Sequence, residues 1–284
     1  MSERFHKLVT LMAALRAPSG CPWDRKQTHE SLKPYLLEET YEVLDTIDKQ
    51  DRGKLPEELG DVLLQVLFHS QIASEAGAFT IDDVLDQLAD KLIRRHPHVF
   101  PNGSSDPTPT NADQVLARWE DIKRAERQAA GRSESVLDGV PKTLPALLRA
   151  YQIQARASRV GFDWTHDQAG IEQVLQKIEE EIGELRAALQ GPRPEGETAD
   201  SARHEEIASE FGDVLFSLVN LARFVKVNPE DALRQSINRF VERFQHIEAQ
   251  AAASGRTVSD LSIDEMNRLW EEAKTKRPIA DTRQ

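Results

Sequence analysis

The stretch Glu58-Leu59-Gly60-Asp61-Val62-Leu63 returns about 150 residues later as Glu210-Phe211-Gly212-Asp213-Val214-Leu215. Three further pieces repeat in the same order and at nearly the same separation: residues 38–42 with 180–184, Lys91 and Arg95 with Arg239 and Arg243, and residues 119–123 with 270–274. A duplication explains this order. We therefore predict two tandem domains, residues 1–130 and 146–284, joined by a linker at residues 131–145.

Apolar residues recur at helical spacing, and no segment alternates convincingly with a period of two. The second copy carries two such stripes: Ile178, Ile182, Leu185 and Leu189 on one helix, and Ile207, Phe211, Val214, Leu218 and Leu221 on the next. We predict an all-α fold of two helical bundles in which these stripes pack together. Residues 190–204, rich in Pro, Gly, Glu and Ser, predict a loop between the two helices.

The bulk composition excludes several classes of protein. The 284 residues carry a formal net charge of −12, which argues against a nucleic-acid-binding surface and against an anionic membrane as partner. Cys21 is the one cysteine, so neither an intrachain disulfide nor a zinc cluster can form. No apolar run reaches transmembrane length. We predict a cytoplasmic protein.

Acidic residues border the apolar stripes. Residues three or four apart share a helix face, and if the stripes pack, four carboxylates converge beside the seam: Glu181, Glu184, Glu210 and Asp213. The first copy repeats the set as Glu39, Glu42, Glu58 and Asp61. Like charges this close must be neutralised, and carboxylate oxygens on rigid helices suit Mg²⁺. The alternative for one copy alone is a solvated acidic face paired with Lys or Arg, but the recurrence favours a metal site in each copy.

These residues also carry a family resemblance. Glu-Glu-x-x-Glu followed by Glu-x-x-Asp resembles the signature of the all-α nucleoside triphosphate pyrophosphatases, a group that includes MazG, dimeric dUTPases and phosphoribosyl-ATP pyrophosphohydrolase. Longer strings resemble two-domain bacterial MazG in particular: Gly20-Cys21-Pro22-Trp23-Asp24, residues 37–42, residues 94–100 and Gly161-Phe162-Asp163-Trp164.

The resemblance implies hydrolysis of nucleoside triphosphates (NTPs and dNTPs, ATP included) to monophosphate and pyrophosphate, in nucleotide-pool housekeeping or alarmone control. It implies Mg²⁺, with Mn²⁺ as a substitute, held by Glu181, Glu184, Glu210 and Asp213, and a homodimer. The positions that match nucleotide contacts of the family are Lys177, Glu180, Arg239, Arg243 and Trp270. We add Asn220 and Arg223, mainly because of their place on the polar stripe.

The expected mechanism is in-line attack on a phosphorus by a water that the metal activates, with Glu180 and Glu181 as catalytic residues and Glu180 as the candidate base. The C-terminal copy is the expected main catalyst, because Tyr35 and Phe68 stand where it has Lys177 and Asn220.

Three alternatives share parts of this pattern. A dUTP-preferring pyrophosphatase would use the same fold, and a non-catalytic helical scaffold or regulatory partner would leave the carboxylates solvated. A di-iron carboxylate bundle needs Glu-x-x-His on two helices, and that spacing occurs only from Glu3 to His6.

Overall fold

The computed structural model describes residues 3–100, 109–111, 135–190 and 197–276, together with scattered positions between 114 and 126. The chain divides into two compact units, Met1–Ala130 and Gly131–Gln284. Every regular element among the described residues is helical, which confirms the predicted all-α class. Within that part of the chain, none of the helices combines the length and apolarity needed to cross a bilayer.

The first unit is organised around one long helix. Its helices are α1 (Glu3–Arg16), α2 (Pro22–Lys26), α3 (Lys33–Asp48), α4 (Leu55–Glu75) and α5 (Ile81–Arg95). Helix α4 packs against α1, α3 and α5. Their shared core consists of Met12, Leu32, Leu67, Phe68 and Ile81, all buried.

The second unit repeats this plan with longer helices. They are α6 (Ala146–Ser158), α7 (Gln168–Gln190), α8 (Glu197–Phe224), α9 (Pro229–Ala253), a 3-10 turn (Val258–Asp260) and α10 (Ile263–Lys276). Helix α7 packs mainly against α8, while α6 contacts α8 and α9, and α9 contacts α10. The α9–α10 corner closes over Ile247, Ala251 and Leu261.

The loop predicted over residues 190–204 is shorter than expected. Gln190 ends α7, and α8 already begins at Glu197, so the second half of the predicted loop is helical. Residues 197–206 contain Ala, Glu and Arg, which are strong helix formers and outweigh the loop-like residues around them. Residues 191–196 lie outside the described part of the chain.

The packing of α7 on α8 is confirmed, but it buries only part of each predicted apolar stripe. Val174, Ile178 and Val219 are buried in the second unit. Four members of the predicted stripes stay exposed: Ile182, Leu189, Phe211 and Leu218. Two crossing helices share one line of contact, so the edges of a broad apolar stripe lie outside that contact.

Candidate functional site

Three carboxylates of the second unit converge where α7 faces α8. Glu181 and Glu184 lie one turn apart on α7, and Glu210 lies on α8; one oxygen of each falls within 4.8 Å of the others. Glu181 is buried, Glu210 half-buried and Glu184 exposed. The structure thus brings together three of the four predicted ligands. Asp213, the fourth, is exposed and stands outside this close group.

The cluster is electrostatically strained. Burial raises the pKa of Glu184, and the negative charges of Glu181 and Glu210 raise it further, with Lys177 acting in the opposite direction. Lys177 Nζ lies 2.8 Å from Glu180 Oε1 and 2.8 Å from Glu181 Oε1, and these hydrogen bonds raise the pKa of Lys177. One ammonium group cannot balance three carboxylates. An all-oxygen set with excess negative charge fits a hard divalent cation.

The first unit has a matching cluster. Oxygens of Glu39, Glu58 and Asp61 lie within 4.8 Å of one another, and Glu58 is only 2% exposed. Burial raises the pKa of Glu39, and Asp61 and Glu42 raise it further. Glu42, the fourth predicted ligand here, stands outside the close group but interacts with Glu58, whose hydrogen bond and charge raise the pKa of Glu42. The three positions that converge therefore differ between the copies.

A cavity of about 650 Å³ adjoins the cluster of the second unit, with Glu181 lining both. Its apolar walls come from Leu137, Ile153, Ala157, Gly161, Phe162, Trp164 and Phe216. Its polar lining comes from Gln154, Asp163, Lys177, Glu181, Asp213, Ser217, Asn220 and Arg223. This volume is typical of a small-molecule site, and aromatic side chains next to hydrogen-bonding groups suit an aromatic ligand that carries polar substituents.

A buried ion pair anchors one wall of the cavity. The Arg223 guanidinium donates to both carboxylate oxygens of Asp163, at 2.7 and 2.5 Å, and to Asn220 Oδ1 at 2.7 Å. Both charged side chains are 8% exposed. Burial acts to raise the pKa of Asp163, but the hydrogen bonds and charge of Arg223 outweigh it and the pKa is lowered. The pair fixes the loop that carries Phe162 and Trp164 against α8.

The remaining predicted contacts lie elsewhere. Glu180 is exposed on α7 and pairs with Lys177. Arg243 stacks over the Trp270 ring, 5.4 Å from its centroid, and Phe240 packs on the same ring. Arg239 is exposed on α9. Arg239, Arg243 and Trp270 are not among the residues that line the cavity, so their nucleotide contacts stay a prediction.

Sequence reasoning missed several residues of the cavity. Phe162 and Trp164 entered only as part of a motif, and Gln154 on α6 was not singled out. One feature of the sequence could have indicated them. They lie on α6 and on the loop after it, directly before the two helices that carry the carboxylates, and α6 packs against α8.

Comparison with known proteins identifies the family of this chain. Residues 27–100 and 169–248 each match the MazG nucleotide pyrophosphohydrolase domain. The chain belongs to the MazG family. It is 47% identical over 270 residues to the nucleoside triphosphate pyrophosphohydrolase/pyrophosphatase MazG of Thermotoga maritima, covering 95% of both chains. It is 43% identical over 273 residues to the nucleoside triphosphate pyrophosphohydrolase of Escherichia coli K12, covering 96% of this chain and 97% of that one. The predicted family is confirmed.

Removing one charge from the cluster should separate repulsion from metal binding. In EDTA, Glu184→Gln should melt at a higher temperature than the wild type, because it relieves repulsion by Glu181 and Glu210. With saturating Mg²⁺ the order should reverse, because the wild type gains more from the ion. Differential scanning fluorimetry measures both. Glu179→Gln, an exposed site on the same helix, should change neither value; equal behaviour of the two variants would contradict a metal site at Glu184.

The Asp163–Arg223 pair predicts a pH-dependent loss of stability. Arg223→Met should cost about 3 kcal/mol of unfolding free energy at pH 7, because it leaves the buried Asp163 carboxylate without its guanidinium partner, with the exposed His166 Nε2 at 2.9 Å as the remaining basic neighbour. In the wild type the pKa of Asp163 is lower in the folded than in the unfolded chain, where it is about 3.9. The ionised carboxylate therefore stabilises the fold at a pH above about 3.9, and this stabilisation is lost as the pH falls below that value. The difference in unfolding free energy between the wild type and Arg223→Met should therefore become smaller as the pH falls towards 4. Urea unfolding measures it, with the exposed Arg186→Met as control; a pH-independent deficit would contradict the ion pair.

Proposed function

We propose that this protein hydrolyses nucleoside triphosphates, NTPs and dNTPs, to the monophosphate and pyrophosphate, with Mg²⁺, at the carboxylate cluster of the second unit. The observation that carries the proposal is that the cluster and an apolar cavity share one residue, Glu181. A metal site for phosphates thus adjoins a pocket for a base. The names of the Thermotoga and Escherichia relatives support the reaction.

The position of each residue in the site suggests its role. Glu181, Glu184 and Glu210 would hold the Mg²⁺, with Asp213 as the fourth ligand from the cavity side. The bound ion would neutralise triphosphate charge and lower the pKa of water. Lys177, at the edge of the cavity, would exchange its carboxylate partners for phosphate oxygens. Glu180 is our candidate base, because it lies beside the cluster and is not needed as a ligand.

The base and sugar would occupy the cavity. Phe162 and Trp164 supply aromatic surface, and Asn220 is held by Arg223 at the wall. In this arrangement Arg223 acts on the nucleotide through Asn220 and Asp163. We keep Arg239, Arg243 and Trp270 as proposed contacts to the triphosphate or base, on the strength of the family resemblance alone.

We propose the second unit as the main catalyst. At the matching positions of the first unit stand Tyr35 and Phe68, and both rings pack edge-on against Trp23, at 5.7 and 6.4 Å. Phe68 is 3% exposed and belongs to the core. The first unit thus keeps a metal-type cluster while aromatic side chains replace the lysine and asparagine of the cavity.

The biological setting is part of the same proposal. The two units would be tandem MazG-type domains in a cytoplasmic enzyme that serves nucleotide-pool housekeeping or the control of alarmones such as ppGpp. A dUTP preference is the alternative within this fold, and comparison of rates across bases distinguishes it.

We also propose a homodimer through α7 and α8. Leu175, Ile182 and Leu189 recur every seven residues on α7 and are 38–54% exposed, and Phe211, Leu215 and Leu218 share a face of α8 and are 40–55% exposed. Exposed apolar side chains that recur along one face of a helix are typical of protein–protein interfaces. A second copy that presents the same stripe would cover it by two-fold symmetry.

Charging this stripe should break the dimer. Leu218→Lys should sediment as a monomer, because it would bury an unpaired lysine of each copy in the two-fold interface. Val227→Lys, at an exposed valine just after α8, should leave the dimer intact. Analytical ultracentrifugation measures both. A monomeric wild type would refute the dimer.

The reaction and the active copy can be tested together. Purified protein with Mg²⁺ and each of several NTPs and dNTPs, dUTP included, should release monophosphate and pyrophosphate, separated by anion exchange. Glu181→Gln should lower kcat at least about 100-fold, because the residue lies in both the cluster and the cavity. Glu39→Gln, the same change in the first unit, should keep activity within about threefold.

Other outcomes would count against specific parts of the proposal. Loss of activity in Glu39→Gln alone would assign catalysis to the first unit. Diphosphate and phosphate as products, insensitive to either change, would refute the pyrophosphohydrolase itself. Near-normal turnover of Glu180→Gln would remove that residue as base.

A further inference from the structure

We propose that Gln154 reads the nucleobase, with its side-chain oxygen accepting a hydrogen bond from an N–H group on the edge of the base. The inference rests on the proposed function, since it concerns the ligand of the same cavity. Gln154 lies on α6, lines the cavity and is 6% exposed.

The amide of Gln154 is half satisfied. Its Nε2 donates to the main-chain carbonyl oxygen of Phe216 at 2.8 Å, whereas the buried Oε1 has no hydrogen-bond partner. A buried acceptor without a donor costs free energy, and native proteins rarely keep one without a reason. A ligand in the cavity that brings a donor would remove this cost.

The orientation of the amide is fixed by its neighbour. The oxygen and nitrogen of a glutamine amide are distinguished by their hydrogen-bond partners. The Phe216 carbonyl can only accept, so exchanging the two ends would set oxygen against oxygen. The end of the Gln154 amide that is left for a ligand is therefore the buried acceptor Oε1, on a side chain that lines the cavity.

The surroundings suit a base and not a phosphate. Ile153 and Ala157 on the same helix, with Phe162 and Trp164 on the loop after it, give the cavity flat apolar walls. Lys177 and Glu181, the groups assigned to phosphate and metal, also line this cavity, so one nucleotide could reach both ends. An acceptor that has no donor of its own selects a ligand by where the ligand's N–H group lies.

The ligand class follows from this chemistry. The 6-amino group of adenine is the one donor on its pairing edge, and purine riboside has the same ring without that group. A site built around an unpaired acceptor should discriminate against the analogue, because Oε1 then stays unpaired when the ligand is bound. Replacing the acceptor by an apolar side chain of similar size should abolish the discrimination.

The test compares kcat/KM for ATP and for purine riboside triphosphate, with Mg²⁺ and full-length protein. The wild type should prefer ATP at least about tenfold. Gln154→Leu should turn over both nucleotides at rates within about threefold of each other. Gln152→Leu, on the opposite face of the same helix, should keep the wild-type preference. A purely structural role of Gln154, as a tie between α6 and α8, would lower both rates equally and keep their ratio, and that result would overturn the proposal.

The kinetics of the wild type alone also test the role of Gln154, even if Gln154→Leu fails to fold. Turnover of ATP and of the analogue at equal kcat/KM would overturn the role of Gln154 and leave the proposed function standing. Absence of any pyrophosphate release by the wild type would overturn the proposed function and this inference with it.

Discussion

Mutual repulsion among carboxylates held on two packed helices is the constraint on which the second unit depends. Glu181 and Glu184 on α7 face Glu210 on α8 at distances where like charges destabilise one another, and Glu181 is buried. The side chains are held there because apolar residues of α7 and α8 pack directly beside them. Lys177 offsets part of the charge. In our account a divalent cation neutralises the remaining negative charge. The repulsion among the carboxylates therefore favours binding of the ion that the reaction needs.

The cavity lies directly beside the carboxylate cluster. Helix α6 and the loop after it contribute the apolar walls, and the Asp163–Arg223 pair joins that loop to α8. The pair is buried and bidentate, so it holds the loop with Phe162 and Trp164 in a fixed position against α8, the helix that also carries Glu210. A rigid distance between a base pocket and a phosphate site is what an enzyme needs in order to place one particular phosphorus for attack. In the described part of the first unit, Tyr35 and Phe68 stand at the positions that correspond to Lys177 and Asn220.

Helical periodicity and spacing predicted the class of fold and the meeting of Glu181 with Glu210, because residues three or four apart must share a helix face. They could not tell which three of four carboxylates converge, since Asp61 belongs to its cluster whereas Asp213 does not, and side-chain rotamers decide this. They also did not reveal that Asp163, 60 residues away in sequence, pairs with Arg223, whose contact with the nucleotide stays a prediction. The cavity itself depends on α6, whose contact with α8 no local pattern reveals.

The central claim is that the cluster of the second unit binds a divalent cation. A crystal of the protein grown with Mn²⁺ and a non-hydrolysable triphosphate tests it most directly, because anomalous scattering locates the ion without assumptions. The account predicts an anomalous peak bounded by oxygens of Glu181, Glu184 and Glu210, with the base in the adjoining cavity. A peak confined to Glu39, Glu58 and Asp61, or no peak at the cluster of the second unit beside bound nucleotide, would contradict it.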